Sequence, residues 1–157
     1  AKDGTITPAN SSSISDGASA LLLMSGAEAE ARGLKPMARI VAHARHSQAP
    51  EEFTIAPVGA MKKLFEKTGW TQGDVDLFEI NEAFAMVTML AMQDLGLDHS
   101  KVNVHGGACA QGHPIGSTGS RIIVTLMYAL KKYGMHRGVA ALCIGGGEAT
   151  AVGIELI

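Results

Sequence analysis

The sequence predicts an α/β fold in a single domain, residues 1–157, with a mostly parallel five-stranded mixed sheet that ends in an antiparallel hairpin. Three observations carry that expectation. Apolar residues make up 46% of the 157, only 4% are aromatic and 19 are glycine, a composition suited to helices packed closely on a sheet. Short apolar runs alternate along the chain with stretches whose apolar residues recur at helical spacing. Near the end, Gly145-Gly146-Gly147-Glu148 separates the run Val139 to Ile144 from the alternation of Thr150, Val152, Ile154 and Leu156, as a tight hairpin requires.

The elements follow in order. Residues 1 to 17 are rich in Gly, Pro, Asn and Ser and close on the turn Ser15-Asp16-Gly17. Ala18 to Met24 reads as a buried first strand, and Ala27 to Arg32 as a helix stopped by Gly33. Met37 to His43 reads as a second strand, and Ala44 to Pro57, with charge, proline and no period, as a surface loop. Apolar residues at Val58, Met61, Leu64 and Phe65 predict a helix to about Lys67, with Trp70 packed over its end. Val75 to Ile80 is a third strand, and Asn81-Glu82-Ala83-Phe84-Ala85 begins a helix whose inner face is Phe84, Val87, Leu90 and Ala91. Ser117 or Thr118 can cap a helix with Ile122, Ile123, Leu126, Met127 and Leu130 on one face, ending at Lys131, Lys132 and Gly134.

Charge and cysteine content narrow the function. Thirteen basic against fifteen acidic side chains, with no basic block, argue against a nucleic-acid partner. The run Ala20 to Met24 is too short to cross a bilayer. Two cysteines, Cys109 and Cys143, do not make a disulfide framework, and a reducing, cytoplasmic setting is expected. The polar start has no initiator Met, so the chain reads as cut from something longer, with Met removal before Ala1 as the alternative.

Five glycines between Asn103 and Gly119 surround His113, which precedes Pro114 and is therefore pushed out of helical dihedrals. An imidazole on such a turn can be aimed for acid/base or oxyanion chemistry. Glycines 112, 116 and 119 do not match a dinucleotide or phosphate-loop spacing. His105, Cys109 and His113 recur every four residues, but a helical metal face there would run through several glycines, so no metal is expected. Cys143 ends an apolar strand before three glycines, where exposed N–H groups could favour a thiolate or an oxyanion; a small buried apolar residue is the alternative. Asn81 could be a helix cap or a catalytic amide.

Asn81-Glu82-Ala83-Phe84-Ala85, Gly106 to Gly116 and Cys143-Ile144-Gly145-Gly146-Gly147 together resemble the three C-terminal motifs of the thiolases, over about Thr5 to Ile157. The resemblance implies a three-layer α/β/α half of the thiolase fold, and acyl transfer or Claisen condensation between acyl-CoA thioesters. His113 would deprotonate the nucleophilic cysteine and help bind the thioester oxygen, Asn81 would hold a water of that oxyanion hole, and Cys143 would shuttle the α-proton. The N–H of Gly145 would serve a second oxyanion hole. Residues 10 to 17 resemble the pantetheine loop, with Ser12 on the CoA arm; Ala83 and Phe84 would line the tunnel, with core packing as the alternative for Phe84.

The family's acyl-accepting cysteine has no counterpart here, and Cys109 sits where the family tolerates apolar residues. The resemblance therefore implies the acid/base and oxyanion part of an acetyl-CoA acetyltransferase, inactive without an N-terminal thiolase half, and a homo-oligomer in the full enzyme. Coenzyme A would be a substrate and no cofactor is expected. The glycine triplet 145 to 147 points to a short acyl group within fatty acid metabolism. A non-catalytic CoA-binding or assembly module of the same fold is the alternative.

Overall fold

The computed structural model describes residues 3–157. The regular elements in chain order are α1 (Gly26–Ala31), β1 (Ala38–Ser47), α2 (Ala56–Thr68), β2 (Leu77–Ile80), α3 (Ala85–Leu95), α4 (Ala108–Gln111), α5 (Thr118–Tyr133), β3 (Arg137–Ile144) and β4 (Glu148–Leu156). Among the described residues the sheet has four strands, in the order β1-β4-β3-β2.

Side-chain alternation on the strands builds the three layers. Phe78 and Ile80 of β2, Val139 and Ala141 of β3, and Ala149 and Ala151 of β4 join Met61 and Leu64 of α2 and Val87 and Ala91 of α3 in one core. Leu77, Ala140 and Ile154 face the other way and pack on Ile122, Leu126 and Leu130 of α5. β2, β3 and β4 thus bury both faces, which explains why β2 reads as an apolar run interrupted by one acid, Glu79, whereas β1 is largely exposed at the edge.

Helix ends follow the backbone freedom of glycine. Gly69, Gly96 and Gly134 stop α2, α3 and α5 with φ of 72°, 63° and 66°, a left-handed turn that a Cβ would disfavour. Trp70 is buried beyond the end of α2, under the Arg137 guanidinium at 5.2 Å and against Gly153 of β4. At the start of α1, Ser25 Oγ accepts from the Glu28 N–H at 3.2 Å.

Four sequence expectations are corrected. Ala18 to Met24 is not a strand: it has no regular structure, and Leu22 and Leu23 are 83% and 66% exposed. An apolar run lacks a ladder of its own and becomes a strand only beside a partner. The expected loop Ala44 to Pro57 begins instead with the last four residues of β1, because Ala44 to Ser47 pair with Ala151 to Glu148.

The sheet is mixed with one parallel pair, β2 with β3; β4 runs antiparallel to both β1 and β3. Finally, α3 starts at Ala85 rather than Asn81. The Asn81 N–H continues the ladder onto Ala141 O at 2.9 Å, and Phe84 is extended at φ −136°, ψ 148°. On the helix itself Val87 and Ala91 are buried as expected, joined by Thr88, while Leu90 is only half-buried.

Candidate active site

The parallel pair gives the molecule a direction, and the chemistry-bearing motifs gather at its carboxyl end. Asn81 follows the last residue of β2, and Cys143 is the penultimate residue of β3. A Cβ on Gly119, in the first turn of α5, would lie 3.8 Å from the Leu142 side chain, which brings the segment from His113 to Thr118 to that same end.

Each group is held differently. The His113 N–H donates to Ser13 O at 2.9 Å, and Nδ1 lies 2.7 Å from Thr118 Oγ1. The Thr118 hydroxyl donates to Pro114 O at 3.1 Å, which leaves its oxygen free as an acceptor for Nδ1–H. The neutral ring then presents an unprotonated Nε2, the tautomer a general base needs. Burial, aided by the charge of Arg121, holds the imidazole below its ordinary value. Thr118 thus serves the histidine; Ser117 is the cap residue of α5 but makes no side-chain capping bond.

Asn81 is 2% exposed, and neither its Oδ1 nor its Nδ2 has a partner among the protein atoms. A helix-cap function is excluded, since α3 begins four residues later with Phe84 at its N-cap. A buried amide left unbonded costs about 1–3 kcal/mol, so its two polar atoms call for a partner such as a water, an ion or a ligand. Cys143 is half-buried against the α2 and α3 core, and burial pushes its thiol up despite a backbone N–H that favours the thiolate. Gly145 is exposed in the turn, where Gly146 and Gly147 take φ of 89° and 83°.

The loop from Ser11 to Gly17 stitches the motifs together. Ser12 donates to Ala83 O through both its N–H and its hydroxyl, at 3.1 and 3.0 Å. Ser11 bridges to Phe84 and Ile14 to His113. A Cβ on Gly17 would meet the Pro114 ring at 2.8 Å, so glycine permits that approach. Phe84 packs at the edge of the core with its ring 6.0 Å from that of Phe53.

Sequence reasoning missed the clamp beneath the histidine loop. Asn103, at φ 48°, imitates a further strand: its Oδ1 accepts from Ile80 N–H and its Nδ2 donates to Ile80 O, both at 2.8 Å. The Glu82 carboxylate accepts from the Cys109 N–H at 3.0 Å and from Asn103 Nδ2 at 3.2 Å, and occupies the space a side chain on Gly107 would need. Cys109 is thereby part-buried, and burial with the Glu82 charge raises its thiol. The only prior signals were an acid directly after Asn81 and an Asn opening the glycine stretch. His105, Cys109 and His113 do not share a helix, because α4 covers only Ala108–Gln111; among the described residues no cluster of three or more His, Cys, Asp or Glu is placed to hold a metal ion, and no helix is long and apolar enough to cross a membrane.

A concave groove of about 450 Å³ lies along the outer side of β2, lined by Leu77, His99, Val102, Tyr133 and Met135 and bordered by Asn103. The carboxyl end is instead an open rim, on which Ile14, Ile115 and Ile144 are 91%, 70% and 42% exposed.

The fold and rim define an α/β protein with an amide and a thiol at the ends of its parallel strands and an imidazole on the segment before α5. The family description "Thiolase, C-terminal domain" matches residues 34–156, and "Thiolase, N-terminal domain" matches residues 1–27. The chain belongs to the thiolase family. It is 51% identical over 152 residues to the cytosolic acetyl-CoA acetyltransferase of Mus musculus, covering 97% of this chain and 38% of that one. To the acetyl-CoA acetyltransferase of Shinella zoogloeoides it is 49% identical, over 98% of this chain and 39% of the relative.

Among solved structures, the acetyl-CoA acetyltransferase of Bacillus anthracis superposes with a TM-score of 0.96 at 44% identity, covering 99% of this chain and 39% of the other. The Acat5 thiolase of Ascaris suum in complex with coenzyme A gives 0.88 at 40% identity, covering 98% and 40%. The chain therefore spans about two fifths of the length of these relatives.

Proposed function

We propose that this chain supplies the acid/base and oxyanion groups of an acetyl-CoA acetyltransferase, acting on acyl-CoA thioesters together with an N-terminal thiolase half that carries the acyl-accepting cysteine. The observation that carries this reading is the His113 ring, whose Nδ1 is committed to Thr118 while Nε2 is left as a base. His113 takes the proton of the nucleophilic thiol as it attacks a thioester carbonyl. The developing oxyanion is met by the His113 ring and by a water held on the Asn81 amide.

In the second half of the reaction Cys143 removes or returns the α-proton of the acetyl group, and the Gly145 N–H stabilises the enolate oxygen. Such donors are worth about 3–4 kcal/mol each in comparable sites. The loop around Ser12, with Ala83 and Phe84, receives the pantetheine arm; the solved Ascaris suum relative contains coenzyme A. Because the Ser12 hydroxyl proton is committed to Ala83 O, its hydroxyl oxygen and backbone carbonyl remain as acceptors for the arm. The exposed run Leu22, Leu23 and Met24 falls in the stretch that matches the N-terminal domain and is covered by that half. The whole protein is a cytoplasmic oligomer on this reading.

Combining the chain with an N-terminal thiolase half and following acetoacetyl-CoA cleavage tests the proposal. Turnover should appear only in the combination and fall at least about 10³-fold with His113→Ala. Activity of the isolated chain, or full activity of His113→Ala, would overturn it. Binding of CoA without turnover in the combined protein would instead favour a non-catalytic CoA-binding module.

A further inference from the structure

Glu79 is the one acid of β2 and is 2% exposed, on the sheet face that carries Leu77 toward α5. A carboxylate taken that far from water is costly unless paired and bonded. Its Oε1 has no protein partner, and its Oε2 meets only the Arg121 Nη1, at 3.9 Å, too long for a hydrogen bond. Glu82, three residues on, shows what a structural carboxylate looks like here: both of its oxygens are bonded. Glu79 does not serve that purpose.

Arg121 connects Glu79 to the histidine. It stands one turn after Thr118 on α5, on the same helical face, and Thr118 is the partner of the His113 ring. Its Nη1 also reaches Gln111 Oε1 at 3.5 Å, two residues before His113, and Gln111 is in turn anchored to His105 O.

Resting on the thiolase reading above, we infer that Glu79 and Arg121 form a positioning pair behind His113, in which the buried carboxylate sets how much of the guanidinium charge the imidazole meets. The groups acting on Glu79 are Arg121 from α5 and Glu82 from the segment after β2. Arg121 is the charge acting on His113, and Thr118, Ser13 and Ser15 around it are neutral. Burial, reinforced by Glu82 and opposed by Arg121, lifts Glu79 to about 7. Its ionisation, and with it the field at His113, therefore changes across the neutral range in which a base must work.

The test is an NMR titration of the His113 ring nitrogens in the 157-residue chain, read without turnover. Glu79→Gln leaves Arg121 unopposed, so the His113 midpoint should fall; Arg121→Gln removes the repelling charge, so it should rise. Opposite displacements support the pair. An unmoved midpoint in folded Arg121→Gln, or displacement of both variants in the same direction, overturns it. If Glu79→Gln fails to fold, Arg121→Lys replaces it and should return the midpoint toward that of the unaltered chain, a midpoint left at the Arg121→Gln value counting against the pair. A purely structural pair would alter stability and leave the midpoint in place. Loss of turnover in His113→Ala, measured separately, keeps a failure of this inference distinct from a failure of the acyl-transfer reading.

Discussion

The two ends of the parallel pair treat their polar groups in opposite ways. At the amino end, Asp76 Oδ2 accepts from the N–H groups of both His136 and Arg137, at 2.9 and 2.8 Å, and the Asp76 N–H donates to Arg137 O. One carboxylate there closes the turn from α5 into β3. At the carboxyl end Glu82 and Asn103 close the histidine loop similarly, yet Glu79 Oε1 and both amide atoms of Asn81 are left without protein partners. Native folds rarely leave buried polar atoms unbonded. Completed bonding marks the end that holds the fold, and on the function proposed above uncompleted bonding marks the end that meets the substrate.

The largest effect should come from the amino end. Asp76→Ala orphans two backbone donors, and a loss of about 2–3 kcal/mol in urea unfolding is expected with the His113 titration unchanged. A displaced titration would break the separation of the two ends.

Glu79→Gln follows, through pH. With Glu79 lifted from an ordinary 4.5 to about 7, the folded chain retains a proton that the unfolded chain has released between those values. Stability therefore declines as pH rises through that window and levels off above it. The variant should remove about 1–3 kcal/mol of that decline, seen as urea midpoints at pH 5 and pH 8 that lie closer together than in the unaltered chain.

Glu82→Ala should cost about 1–2 kcal/mol and, more tellingly, speed hydrogen exchange at the Cys109 amide, whose acceptor it removes. Asn81→Leu sharpens the comparison by its sign. Replacing an unbonded buried amide with an apolar group of similar size should leave stability unchanged or raise it by up to about 1 kcal/mol, while abolishing turnover in the combined protein. Arg39→Ala, at an exposed ion pair with Glu155, should change stability by less than about 0.5 kcal/mol.

Much of this was legible in the residues. The hairpin at Gly145 to Glu148, the glycine stops of α2 and α5, and the buried faces of both helices were written in local periodicity and in the φ values that glycine alone accepts readily. The three motifs identified the family because their order and residue types are retained. Ala18 to Met24 misled because an apolar run signals burial without naming its partner, and the stretch matching the N-terminal domain overlaps it. The length of β1 was hidden for a related reason: Ala44 to Ser47 extend only because β4 pairs with them.

What the sequence determined by itself was therefore the kind of element at each place and the chemical types brought to the site, since both depend on neighbours along the chain. Tertiary structure alone decided which way the strands pair, which hydroxyl meets the His113 ring, and that Glu79 is buried with a loose partner while Glu82 is fully bonded. Strand pairing, hydrogen-bond completion and desolvation are set by residues far apart in the chain, and become definite only when the packed elements bring those residues within a few ångströms.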